Sequence, residues 1–221
     1  MKYRLLYIII LFSNLIMSDN SISENKFKIS RIHYGGGGDW YADPSSLSNL
    51  LKYVSSNTDI KVDLNEEIVK IGDNQFYQNN YYYITGHGNI KITQNEKNIL
   101  RKQLLHGAFL HVDDNYGLDK SFRKLITEIF PEKKLVELPP SHEIFNILYQ
   151  FPKGLPKIHE HNNQRPQALG LFHNKKLILL YTYESDLGDG WEDINVHNIS
   201  KHKHNAALQM GANIITYFLV N

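Results

Sequence analysis

Three features of the sequence predict an α/β fold: a mainly parallel sheet flanked by helices, closed by a C-terminal β-hairpin and a terminal helix. Strand-like runs alternate with helix-period patterns from Lys26 onward, the order that builds parallel sheets with helical crossovers. AFLHVDD is apolar through its first half, as expected of a strand covered on both faces. The last third changes to two adjoining β-like runs and then an apolar helical stretch.

Taken in order, FKISRIHY (residues 27–34) is the first strand, ended by the glycines at 35–38. In DWYADPSSLSNLLKYV, Asp43 is the expected N-cap and Pro44 the first helical residue. Leu47, Leu50, Leu51 and Val54 fall at i, i+3, i+4 and i+7, the apolar stripe of a helix. IKVDL, from Ile60, reads as a second strand, and YYYIT (81–85) as a third that runs into Gly86-His87-Gly88. Thr93 and Glu96 match a capping box, and Gly107 suits the left-handed residue that ends the following helix. After the fourth strand, Leu118, Phe122, Leu125, Ile126 and Ile129 line one side of a helix stopped by Pro131. LVEL (135–138), a short helix near 144–148, a hairpin over 168–184 turning near Asn174, and a helix over 205–219 complete the chain.

Composition narrows the function classes. With 221 residues and 42% hydrophobic content, residues 23–221 can form one domain with an ordinary core. Lys and Arg number 24 against 23 acids, a net charge of +1, and no basic stripe is present, so nucleic acid is not an expected partner. The chain contains no cysteine, which removes disulfides, thiolate metal sites and thiol nucleophiles. Lys2 and Arg4, an apolar run over 5–17 and a polar exit have the form of a signal peptide or N-terminal anchor over residues 1–22. The run is shorter than the ~20 residues that span a bilayer. Export to the periplasm or cell envelope is the expectation, with membrane contact only through an uncleaved leader.

In an open parallel sheet, ligands bind outside the carboxyl ends of the strands, and the polar clusters fall there: residues 35–43, 85–89, 111–116 and 184–193. The glycine run lacks both a Walker lysine and dinucleotide spacing, so it reads as a turn. In HVDDNYG, His111, Asp113 and Asp114 are candidate catalytic groups, with helix capping the alternative for one of the acids. Glu184 is a further candidate acid. KIHEH, if extended, sets His159 and His161 on one face, a spacing that chelates a divalent metal ion, with Asp113 or Glu184 as an added carboxylate. Among eleven histidines such pairs also arise by chance, and solvent-facing imidazoles are the alternative. ESDLGDGWED resembles an oxygen-ligand calcium loop but fails the EF-hand spacing. Asp39, Trp40, Tyr41, His87, Asn115, Tyr116, Asp186, Asp189 and Trp191 sit in these loops and are expected to bind ligand, the aromatics by stacking on a sugar or by sealing loops onto the core.

The blocks GGGGDWYADPSSLSNLLKYV, YYYITGHGN, GAFLHVDDNYGLDKSFRK, GLPKIHEHN and YTYESDLGDGWEDINVHN together resemble the bacterial domain of unknown function 4159. That resemblance implies a flavodoxin-like sheet of the class I glutamine amidotransferase-like type. Amidotransferases of that type carry a cysteine at a strand-to-helix turn and a His-x-Glu after a later strand. Here the first place holds His111, Asp113 and Asp114, and the second retains at most Glu184, so thiol-based glutamine hydrolysis is not implied.

Three readings follow. The sequence favours an exported, non-catalytic accessory domain that binds a polar small molecule, a glycan or an envelope protein. The alternatives are a metal-assisted hydrolase using His, Asp and Glu at the strand ends, and a structural envelope protein.

Overall fold

The computed structural model describes residues 26–161 and 163–221; the expected leader lies outside the described residues. Seven strands form one sheet in the order β2-β1-β3-β4-β7-β6-β5. They are β1 (Ser30–Ile32), β2 (Glu67–Val69), β3 (Tyr81–Ile84), β4 (Phe109–Asp113), β5 (Val136–Glu137), β6 (Gln167–His173) and β7 (Lys176–Tyr183). The first five in spatial order run parallel, and β6 and β5 add antiparallel pairs at one edge. The parallel order is that of flavodoxin-like folds, as the sequence predicts.

Helices cover both faces, and strand alternation divides the core between them. Tyr81, Tyr83, Phe109 and Leu180 pack with α1 (Ser46–Asn57), α4 (Leu187–Trp191) and α5 (Lys201–Val220). Tyr82, Ile84, Leu110 and Val112 pack with α2 (Gln94–Leu105) and α3 (Asp119–Ile129). A middle strand therefore needs apolar residues at every position, which is why YYYI and the start of β4 show no polar alternation. Among the described residues no helix is long and apolar enough to cross a membrane.

The capping box of α2 is present, with the Thr93 hydroxyl accepting from the Glu96 amide at 3.2 Å and the Glu96 carboxylate accepting from the Thr93 amide at 2.6 Å. Gly107, at φ 107°, follows that helix in the left-handed conformation. The hairpin turns at Asn174 and Lys175, whose φ values of 49° and 68° match the primed turns that suit strand twist.

Four local expectations are corrected. IKVDL makes only a single bridge, Val62 to Phe27, and the second strand is Glu67–Val69. Asp63 accepts from the Asn65 amide and Glu66 turns inward to Arg31, so the chain leaves the ladder after Asp63 and rejoins it at Glu67. Asp43 does not cap α1. It has φ 55°, Ser45 occupies the cap position, and Glu192, remote in sequence, accepts from the Ser45 amide at 2.7 Å. The segment expected as a helix near 144–148 is a 3-10 turn over Glu143–Phe145. The terminal helix begins at Lys201, because the Ser200 hydroxyl accepts from the Lys203 amide.

Candidate functional site

β4 and β7 are adjacent, with Asp113 in register with Thr182, so the loops that follow both strands meet at one edge of the sheet. Asp113 is fully buried. Its carboxylate accepts from the Thr182 hydroxyl and, at 2.7 Å, from the Gly188 amide, which ties the first turn of α4 to the end of β4. Asp114 accepts from the Leu118 amide at 3.1 Å and holds the start of α3. Asn115 accepts from the Thr85 hydroxyl at 2.9 Å and donates to the Asp43 carboxylate, joining three loops. The paired aspartates are therefore anchors beneath the surface of the site.

Asp43 reaches this edge because of Arg31, which is 1% exposed. Its guanidinium donates to the carbonyls of Ala42 at 2.7 Å and of Trp40 and Asp43 at 3.3 Å, while Glu66 balances its charge. The loop is thereby locked with Asp43 left-handed. Tyr116, Glu184 and Asp186 also have positive φ, at 69°, 57° and 56°. Such conformations cost about 1–3 kcal/mol each and persist where surrounding contacts enforce them, often at functional sites.

The segment carrying KIHEH lies along the loop after β7, with the Ile158 amide donating to the Ser185 carbonyl at 2.9 Å and the Ser185 hydroxyl to the Pro156 carbonyl at 2.7 Å. This sets His159 Nδ1 2.6 Å from Asp189 Oδ2 and His161 Nε2 2.7 Å from Asp186 Oδ2. Tyr116 stacks on the His161 ring at 4.7 Å. One donor atom from each of His159, His161, Asp186 and Asp189 lies within 4.8 Å of the others, and Asp43, Asp189 and His197 form a second such group. Asp186 is fully buried, yet among the described residues neither carboxylate oxygen accepts a hydrogen bond. The close His161 nitrogen lies off hydrogen-bonding geometry. Two donors bound to one tetrahedral ion at about 2.1 Å stand about 3.4 Å apart, so the 2.7 Å approach is that of an ion pair, and an ion bound between the two groups would part them slightly.

Electrostatics agree. Burial, followed by the charges of Asp113 and Asp189, pushes the Asp186 carboxyl up to about 9. Burial raises Asp113 to about 7 and Asp43 to about 6, where the Asn115 hydrogen bond works the other way. Lys157, the ammonium beside the cluster, pairs with Glu184 at 2.8 Å. Burial, then neighbouring His159, lowers His161 and holds it in the neutral form that can ligate a metal. A cation among these groups would offset the crowding of like charge.

The other sequence candidates divide. Asp39 and His87 pair with each other at 3.0 Å, at the ends of β1 and β3 and outside the cluster. Trp40 stacks on His33 at 4.3 Å, and Tyr41 is exposed. The glycine run is a turn pinned to the chain at 89–91, with the Gly35 and Gly38 amides donating to the Lys91 and Asn89 carbonyls. His111 is fully buried, 3.1 Å from the Thr182 hydroxyl, and burial depresses its pKa to about 3; it lies under the site with no path to a substrate. Trp191 is also fully buried and donates to the Ala207 carbonyl at 2.8 Å, so it seals the core and cannot stack on a sugar. The acidic segment ESDLGDGWED, which fails the EF-hand spacing, winds into α4. Sequence reasoning missed Asp43 and His197 as site groups and Arg31 as the brace of the Asp43 loop. A histidine in INVHN, just beyond the acidic block, was the available signal.

Fold and cluster together define a flavodoxin-like α/β domain with a histidine and aspartate site at the carboxyl edge of its central strands. The chain belongs to the family described as a domain of unknown function (DUF4159), whose profile matches residues 28–219. No curated protein matches the chain.

Proposed function

We propose that this domain is a divalent-cation-dependent hydrolase, with His159, His161, Asp186 and Asp189 as ligands. The observation that carries the reading is their convergence around Asp186, a buried carboxylate without a hydrogen-bond donor among the described residues. Mixed imidazole and carboxylate donors suit zinc, manganese or iron(II). A bound ion would polarise a substrate oxygen and supply a nucleophile from water near neutral pH. Tyr116 holds the plane of the His161 ring, and the Ile158 and Ser185 contacts hold the histidine segment against Asp186 and Asp189. An open groove of about 410 Å³, lined by His159, His197, Ser200 and Lys203 among others, gives access from solvent.

Elemental analysis of protein purified without chelators tests the site. At least one equivalent of a transition metal is expected, lost in His159→Ala and Asp186→Asn; substoichiometric metal in the wild type ends the reading. Chelator-sensitive turnover on a panel of phosphoesters, carboxylic esters and amides tests the hydrolase. Full metal occupancy without turnover would return the protein to the accessory reading, which is supported by the 48% exposed Tyr116 ring at the site. The basic start and apolar run over 5–17 support action in the cell envelope, tested by fractionation and by sequencing the mature N-terminus.

A further inference from the structure

The geometry points to a second cation position, built from Asp43, Asp189 and His197, with Asp189 bridging it to the first; we infer that the centre is binuclear. The inference rests on the proposed first site.

One oxygen of Asp189 stands between two imidazoles. This Oδ2 lies 2.6 Å from His159 Nδ1 and 3.5 Å from His197 Nδ1, and a carboxylate has lone pairs enough to serve two ions. Donor atoms of Asp43, Asp189 and His197 lie within 4.8 Å of one another. Two of the three are held in place from beneath. Arg31 fixes the loop that presents Asp43, Asn115 donates to one Asp43 oxygen, and the α4 turn that carries Asp189 hangs from Asp113.

A further observation indicates a missing partner. The Tyr83 hydroxyl is fully buried and, among the described residues, makes no well-formed hydrogen bond, with Thr85 within only weak electrostatic reach. It stands 3.2 Å from the point where a side chain on Gly188 would begin, and the Asp43 carboxylate borders the same point. His197 meets the site through Nδ1, 3.5 Å from Asp189 Oδ2, while its Nε2 faces Glu192 at 3.8 Å. Buried polar groups left without partners are few in folded proteins and call for a specific explanation such as an ion or water.

The two positions differ in donors. The first has two imidazoles and two carboxylates, whereas the second has one imidazole and two carboxylates, a harder set that suits manganese or magnesium. Two ions sharing a carboxylate, about 3.5–4 Å apart, form the clamp used for attack on phosphoryl or acyl centres.

Manganese titration of chelator-stripped full-length protein, followed by calorimetry and electron paramagnetic resonance, decides the matter. The wild type should take up two Mn²⁺ per chain and give a spin-coupled spectrum. His197→Ala, in a loop where the ring is partly exposed, should bind one ion with an uncoupled spectrum and an unchanged far-ultraviolet dichroism spectrum; Asp43→Asn serves as the independent second variant. One ion in the wild type, unaffected by either substitution, overturns the second position and leaves the first intact. No bound ion overturns both. Two ions with an uncoupled spectrum overturn the bridge.

Discussion

Asp186 illustrates how a single residue separates a functional role from a structural one. A buried carboxylate without donors opposes folding unless it is neutralised or paired. Asp186→Asn keeps a residue tolerant of left-handed backbone and removes the cost of neutralising the carboxyl on burial. It should therefore raise the melting temperature of the metal-free protein while abolishing the rise produced by added cation; lowered stability with an intact metal response would reassign Asp186 to structure. Asp113 gives a pH signature. Its folded pKa, about 7, exceeds the unfolded value of about 3.9, so the folded state holds the extra proton between them. This contribution is complete below pH ~4 and declines as pH rises to about 7. His111, depressed to about 3, acts oppositely, its contribution declining as pH falls below about 6.5. Comparing metal-free Asp113→Asn with wild type by chemical denaturation across pH 4–8 isolates the first slope, which the substitution should flatten. At Gly188 there is no room, since a methyl group would strike the Asp43 carboxylate and crowd the Tyr83 hydroxyl. Gly188→Ala should cost about 1–3 kcal/mol and weaken metal binding, as read by denaturant midpoint and titration.

At the level of elements, the site depends on which strands are neighbours and on how two helices begin. α4 is five residues long and hangs from the Asp113 carboxylate, so the acids of ESDLGDGWED serve different masters: Glu184 pairs with Lys157, Asp189 faces the histidines, and Glu192 caps α1. α2 lies on the opposite face and provides a control. Thr93→Ala removes half of its capping box and should cost about 1 kcal/mol by thermal or urea denaturation, with metal stoichiometry unchanged. A loss of metal in that variant would mean that the site responds to global stability and not to local ligands. Much of this level is visible in the chain itself. The period of Leu47, Leu50, Leu51 and Val54 gives α1, and Thr93 with Glu96 gives the start of α2. IKVDL has strand composition and reads as the second strand, whereas pairing with β1 is decided by where Asp63 and Glu66 divert the chain.

For the whole molecule, the parallel arrangement collects loops from distant segments at one edge, and a ligand bound there ties them together. A cation that binds only the folded state stabilises it by about 2.7 kcal/mol at one hundred times its dissociation constant. Added zinc or manganese should therefore raise the melting temperature of stripped protein, with chelator reversing the shift and His161→Ala abolishing it; no shift with either metal would contradict the site. The sheet also separates groups that the sequence places in similar loops. Asp39 and His87 meet between β1 and β3, while Asp43, only four residues after Asp39, turns toward β4 and β7 because Arg31 holds its loop.

Local patterns along the chain were enough to specify the α/β class, the helices α1 to α3, the hairpin, and the carboxyl ends of the strands as the place where polar groups gather, because periodicity, capping and turn chemistry act over a few residues. The pairing of His159 with Asp189 and of His161 with Asp186, the burial of His111 and Trp191, and the entry of Asp43 and His197 into the site were decided by tertiary structure. Those relations depend on strand neighbours, on a buried arginine and on left-handed backbone held by remote contacts, none of which a linear spacing encodes.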